Sequence, residues 1–186
     1  IITASSIYDD AEKDFPGGYH PVDYSKALGK ITVRRAIESS QNIPFVEIMQ
    51  ELKPSVSMDY LERLGITTLT EEDNNLSLAL GGLQKGISPL EMAAAYAAIA
   101  NDGQYIEPVF YQNIKNHSGE TIITPKQDTR RVFSKETAFI LKDLLTQPVE
   151  GSNGTATYCK INGIDVAAKT GTTDSNYDRW LCGFTP

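Results

Sequence analysis

The stretch Val166-Ala167-Ala168-Lys169-Thr170-Gly171-Thr172-Thr173 decides how this chain is read. Three small apolar residues close a run from Ile161 to Ala168 that reads as a buried strand, and an ammonium follows at once. A buried strand would continue with another apolar side chain, so Lys169 is conspicuous. A lysine at a strand end can simply snorkel to water. It can also attract a substrate carboxylate, with the hydroxyls of Thr170 and Thr172 hydrogen-bonding the same anion. Gly171 has no Cβ, so a substrate backbone could lie against the strand edge as an added strand. Residues 174–178 are polar and turn-forming, and Trp180–Phe184 reads as the antiparallel return of a hairpin.

Upstream of that hairpin the pattern is largely helical. Thr32 caps a helix over Val33–Ser39, with Val33, Ala36 and Ile37 on one face. Pro44 suits a first helical turn, which predicts a second helix over Ile43–Leu52. A third, Met58–Leu64, closes on Gly65, a residue able to take the left-handed conformation after a helix. Ser88-Pro89-Leu90-Glu91 is a capping box before the Ala-rich Met92–Ala100 helix, which Asn101-Asp102-Gly103 stops. Ser134 opens a helix that keeps Ala138, Ile140, Leu141, Leu144 and Leu145 inward as far as Pro148. Tyr105–Ile114 alternates as a strand, Asn116–Glu120 is a turn, and Ile122-Ile123 suggests the partner strand. Residues 1–30 read as irregular, broken by Asp9-Asp10, Pro16-Gly17-Gly18 and Gly29. Helices followed by a hairpin give an α+β fold.

Composition bounds the function. The 186 residues suffice for one domain or a large piece of one. Hydrophobic residues at 40% and charged residues at 22% exclude a disordered chain. With 24 acids against 17 bases the net charge is −7, which argues against a groove for nucleic-acid phosphates. No apolar run reaches the ~18 residues of a membrane span, and no signal peptide is seen. The chain opens at Ile1 without Met and closes on Thr185-Pro186, so it reads as a fragment. Cys159 and Cys182 read as unpaired small apolar residues. His20 and His117 lie far from either, so no metal-ligand spacing exists, and no cofactor is expected.

Ser40-Gln41-Asn42, in the helix-to-helix turn, has two readings. Ser and Asn are favoured cap residues, so a cap and a turn suffice to explain it. Alternatively, a hydroxyl that relays a proton and a carboxamide that both donates and accepts face one cleft.

Taken in order along the chain, Ser40-x-Asn42 and Lys169-Thr170-Gly171-Thr172 resemble the second and third motifs of the penicillin-recognising serine enzymes. Thr32-Val33-Arg34-Arg35-Ala36-Ile37-Glu38-Ser39-Ser40-Gln41-Asn42-Ile43-Pro44 is similar to the helix leading into that turn in penicillin-binding proteins. Leu80-Gly81-Gly82 and the segment from Ser88 to Gly103 resemble the core helix of their transpeptidase domain. Asp178-Arg179-Trp180-Leu181-Cys182-Gly183-Phe184-Thr185-Pro186 resembles the strand after the Lys-Thr-Gly motif. The likeness covers nearly the whole chain and is nearest in flavour to the bifunctional class A proteins, which add a glycosyltransferase domain. It departs at Ala168, where Gly often precedes the Lys, and at Leu181, where an aromatic is frequent. Gln41 speaks against a class A β-lactamase, which usually has Asp there.

The resemblance implies a penicillin-binding-protein/serine β-lactamase-like fold, an antiparallel sheet with helices on both sides. It implies that residues 1–186 are the central and C-terminal part of one transpeptidase domain, incomplete at both ends. The family's nucleophile lies in a Ser-x-x-Lys motif, and no Ser here has Lys three positions later. The implied reaction is acyl transfer between peptidoglycan stem peptides through an acyl-enzyme, open to β-lactams. By resemblance, Ser40, Asn42 and Lys169 are catalytic, and Thr170, Gly171 and Thr172 bind substrate. The parent would be membrane-anchored and work on the extracytoplasmic face of a bacterial membrane. Competing expectations are a D,D-carboxypeptidase or β-lactam-sensing domain of the same fold, and a non-catalytic scaffold.

Overall fold

The computed structural model describes residues 2–186, the side chain of Asp174 excepted. Local chemistry sets the helices. Thr32 Oγ1 accepts the Arg35 N–H at 3.2 Å and starts α1, Val33–Ser39. The α2 helix, Ile43–Leu52, follows after three residues, with Pro44 in its first turn. The α3 helix, Pro54–Arg63, begins four residues before the expected start, at a second proline. Gly65 ends it at φ +84°, where a Cβ would lie 2.2 Å from the Tyr105 hydroxyl. At α4, Pro89–Ala100, the capping box forms as expected: Ser88 Oγ accepts the Glu91 N–H at 3.2 Å, and Glu91 Oε2 accepts the Ser88 N–H at 3.0 Å. The α5 helix, Lys135–Glu150, starts at the Ser134 cap and runs through Pro148, whose missing N–H forfeits one helical bond, to the Leu144 carbonyl, two residues before the helix ends.

The strands form antiparallel pairs, and three differ from expectation. Residues 1–30 are not wholly irregular: β1, Ile7–Asp10, pairs with β2, Gly29–Thr32, in the register Ile7↔Thr32 to Asp10↔Gly29. The expected Tyr105–Ile114 strand is split, because Pro108 cannot donate to a ladder. Its first part, β3 at Gln104–Ile106, pairs with β6 at Thr129–Arg131. Its end, β4 at Ile114–Lys115, pairs with β5 at Thr121–Ile123 across the expected turn. The Ile161–Ala168 strand is also shorter. Ile161 and Ile164 bridge around Gly163, and β7 runs over Ala167–Thr172 instead. The Lys-Thr-Gly-Thr segment therefore lies within the strand rather than after it. The β8 strand, Arg179–Phe184, returns beside it with Lys169 opposite Cys182.

Three apolar clusters hold these parts. Ala94, Ala95 and Ala98 of α4 pack with Leu64, Tyr105 and Val132. Val149, Ala156, Val166 and Ala168 pack beneath β7, with Cys159 against them. Phe15, Ile43 and Val46 join the N-terminal segment to α2. Both cysteines are free. The α5 helix packs on both α1 and β7, and so brings the end of α1 to the hairpin. An Arg34–Asp143 ion pair and a hydrogen bond from the Asn153 N–H to Glu38 Oε1, 3.0 Å, tie the same elements. Among the described residues, no helix is long and apolar enough to cross a membrane.

Candidate active site

Residues 129 positions apart in the chain meet here: Lys169 Nζ donates to Ser40 Oγ at 2.6 Å and to the Thr170 carbonyl at 2.8 Å. Ser40 holds its hydroxyl there from a left-handed backbone, φ 56° and ψ 41°, where α1 ends. That conformation costs a non-glycine residue about 1–2 kcal/mol and persists only where its neighbours over-determine it. Burial pushes the Lys169 ammonium down to about 8. It is thus still mainly charged at neutral pH and aimed at a hydroxyl.

This shift makes a prediction about stability. Between pH 8 and lysine's ordinary 10.5 the unfolded chain holds a proton that the folded chain has released. Folding then releases a proton, so Lys169 adds stability as the pH rises through that window. Thermal melting followed across it should show a slope against pH that is more positive in wild type than in Lys169→Met; identical slopes would contradict the depressed value.

Asn42 does not make the cap bond that the simpler reading expects. Its Nδ2 instead donates to the Val22 carbonyl at 2.7 Å, which occupies one of its two N–H groups. Thr170 Oγ1 lies 2.9 Å from Thr155 Oγ1, so one of the two hydroxyls donates to the other. Thr172 is exposed further along β7. At Gly171 an added Cβ would meet only Trp180 Cβ, at 3.7 Å, so the strand surface there is open. Among the described residues β8 alone pairs with β7, and the other edge is free. The structure therefore brings Ser40 and Lys169 together, with Thr170, Gly171 and Thr172 along the strand that carries the lysine and Asn42 two residues beyond Ser40 in the chain.

Sequence reasoning missed Thr155, whose one signal is its place in the Gly154-Thr155-Ala156 turn. It also missed Asp10 and Asp23, which bond to Gln41 and to the backbone of Asn42. Nothing local in the sequence marks either acid. No group of three or more His, Cys, Asp or Glu among the described residues could hold a metal ion.

The family model for the penicillin binding protein transpeptidase domain matches residues 2–186. The chain belongs to that family. Among curated relatives of this transpeptidase family, penicillin-binding protein 1F of Bacillus subtilis is 40% identical over 177 residues, covering 91% of this chain and 24% of its own length. Penicillin-binding protein 1A of Clostridium botulinum is 36% identical over 159 residues, covering 85% of this chain and 19% of its own length. The chain thus spans about a fifth to a quarter of these relatives. The solved penicillin-binding protein 1A from Haemophilus influenzae superposes with a TM-score of 0.84 at 24% identity, over 98% of this chain and 33% of that one. The D,D-transpeptidase domain of a peptidoglycan glycosyltransferase from Eggerthella lenta gives 0.80 at 24% identity, over 99% of this chain and 52% of that one. At such identities the likeness establishes the fold, which is the penicillin-binding-protein fold expected from the motifs.

Proposed function

We propose that residues 1–186 form the central and C-terminal part of a serine-type D-Ala-D-Ala transpeptidase domain, which cross-links peptidoglycan stem peptides. The observation that carries this reading is the 2.6 Å contact between Lys169 and Ser40 in a chain of this family. A serine outside these residues attacks the carbonyl between two terminal D-alanines, the C–N bond breaks, and D-Ala leaves with a proton. An amine of a neighbouring stem then attacks the acyl-enzyme and restores the serine.

Each residue has a role in that scheme. Ser40 passes protons to the leaving nitrogen and from the incoming one. Lys169 keeps the field positive and holds the Ser40 hydroxyl in line. The carboxamide of Asn42 takes the substrate amide. The hydroxyls of Thr170 and Thr172 receive the terminal carboxylate. The substrate backbone lies along the free edge of β7 over Gly171, and the Thr172 N–H donates to the oxyanion. β-Lactams acylate the same serine. Such a domain works on the extracytoplasmic face of a bacterial membrane, in a membrane-anchored parent that also carries a glycosyltransferase domain.

Labelled penicillin tests the scheme. The whole protein should become covalently labelled at a serine outside residues 1–186, and the isolated 186-residue chain should not label. A stoichiometric adduct on Ser40 would reverse the assignment of nucleophile and helper.

A further inference from the structure

Asp10 is fully buried at the end of β1, and its Oδ2 accepts the Leu28 N–H at 2.8 Å and the Gln41 Nε2–H at 2.5 Å. Gln41, itself only 1% exposed, accepts the Ser25 hydroxyl at 2.6 Å through Oε1. Asp23 Oδ1 accepts the backbone N–H groups of Asn42, at 2.5 Å, and Ile43, at 3.3 Å, which open α2 and have no helical partner. This leaves one oxygen on each acid, Asp10 Oδ1 and Asp23 Oδ2, buried with no donor. The two carboxyls hold neighbouring residues of the same turn, Gln41 and Asn42, and Asp10 acts on Asp23 both as a hydrogen-bond partner and as a like charge. Two carboxylates so coupled cannot both stay ionised at low cost, whereas one hydrogen between them satisfies both orphan oxygens.

We propose that the Asp10 and Asp23 carboxyls share one proton, and that Asp10, Asp23 and Gln41 are positioning residues for the Ser40–Asn42 turn. Burial, with Asp10 alongside, pushes the Asp23 carboxyl above its ordinary value, against the pull of the Asn42 and Ile43 N–H groups. The consequence for the site is direct. Left-handed Ser40 is followed by two residues pinned through this pair, one by its side chain and one by its backbone. Released from it, the turn relaxes toward ordinary backbone angles and the Ser40 hydroxyl leaves Lys169.

A shared hydrogen has a distinctive mutational signature. Asp23→Asn keeps an oxygen for the Asn42 and Ile43 N–H groups and turns an NH₂ toward Asp10. Asp10→Asn keeps an oxygen for Leu28 and Gln41 and turns an NH₂ toward Asp23. Each single change supplies the one hydrogen required, but the double change points two NH₂ groups at each other. The readouts are thermal melting and the rate of labelled-penicillin attachment, both in the whole protein; the second rests on the transpeptidase reading. Each single variant should melt at or above wild type and label within about twofold of it. The double variant should melt below both and label at least about tenfold more slowly. A double variant no worse than its singles combined, or singles that already collapse, overturns the shared proton. If the transpeptidase reading itself is wrong, wild type fails to label while the melting order still reports on the pair.

Discussion

Lys169→Ala in the whole protein should slow covalent attachment of labelled penicillin by about 10²–10³-fold, the usual loss when one preorganised electrostatic group is removed from a polar transition state. The change deletes the donor that holds Ser40 Oγ at 2.6 Å, and with it the positive charge of the cleft. Its ammonium is largely buried, so its charge acts on Ser40 with little screening by solvent. Lys169→Met, which keeps the side-chain volume, should lose nearly as much, separating charge from packing. Labelling of either variant at the wild-type rate would remove Lys169 from the mechanism.

The second large effect concerns a position with no chemistry of its own. A Cβ on Gly183 would fall 2.5 Å from the Ala167 carbonyl oxygen and 2.7 Å from Ala168 Cβ. Neither atom belongs to a flexible side chain, so β7 and β8 must part where Gly183 pairs with Ala168, one residue before Lys169. Overpacking of this kind costs about 1–3 kcal/mol. Gly183→Ala should therefore lower the melting temperature by about 2–4 °C per kcal/mol lost, and slow penicillin labelling as well. Gly171→Ala is the contrast, since its Cβ meets only Trp180 at 3.7 Å. It should melt like wild type yet hinder a substrate laid along β7. If Gly183→Ala melts and labels like wild type, the hairpin has slack that these distances exclude.

What was legible in the sequence follows from how local each signal is. Thr32, Ser88 and Ser134 act on N–H groups three residues away, and those helices begin where the caps place them. The β1–β2 ladder was hidden because Ile7-Tyr8-Asp9-Asp10 has no alternation, and its partner lies beyond a long loop. Lys169 could be singled out because a charge after three small apolar residues breaks a pattern. Asp10 and Asp23 could not, because acids in a polar loop are ordinary, and only folding brings them together. The shared place of Ser40 and Lys169 came from motif resemblance, since α5, which links them, carries no mark of that duty in its sequence.

The middle residue of Ser40-Gln41-Asn42 turns its side chain away from solvent into the protein interior. That inward turn couples the motif's variable letter to a distant acid. A relative with an acidic residue in place of Gln41 would bury three carboxyls around one turn, and must carry a compensating change at the position of Asp10. Diversity inside the motif is thereby limited by interior compatibility as well as by the reaction it serves.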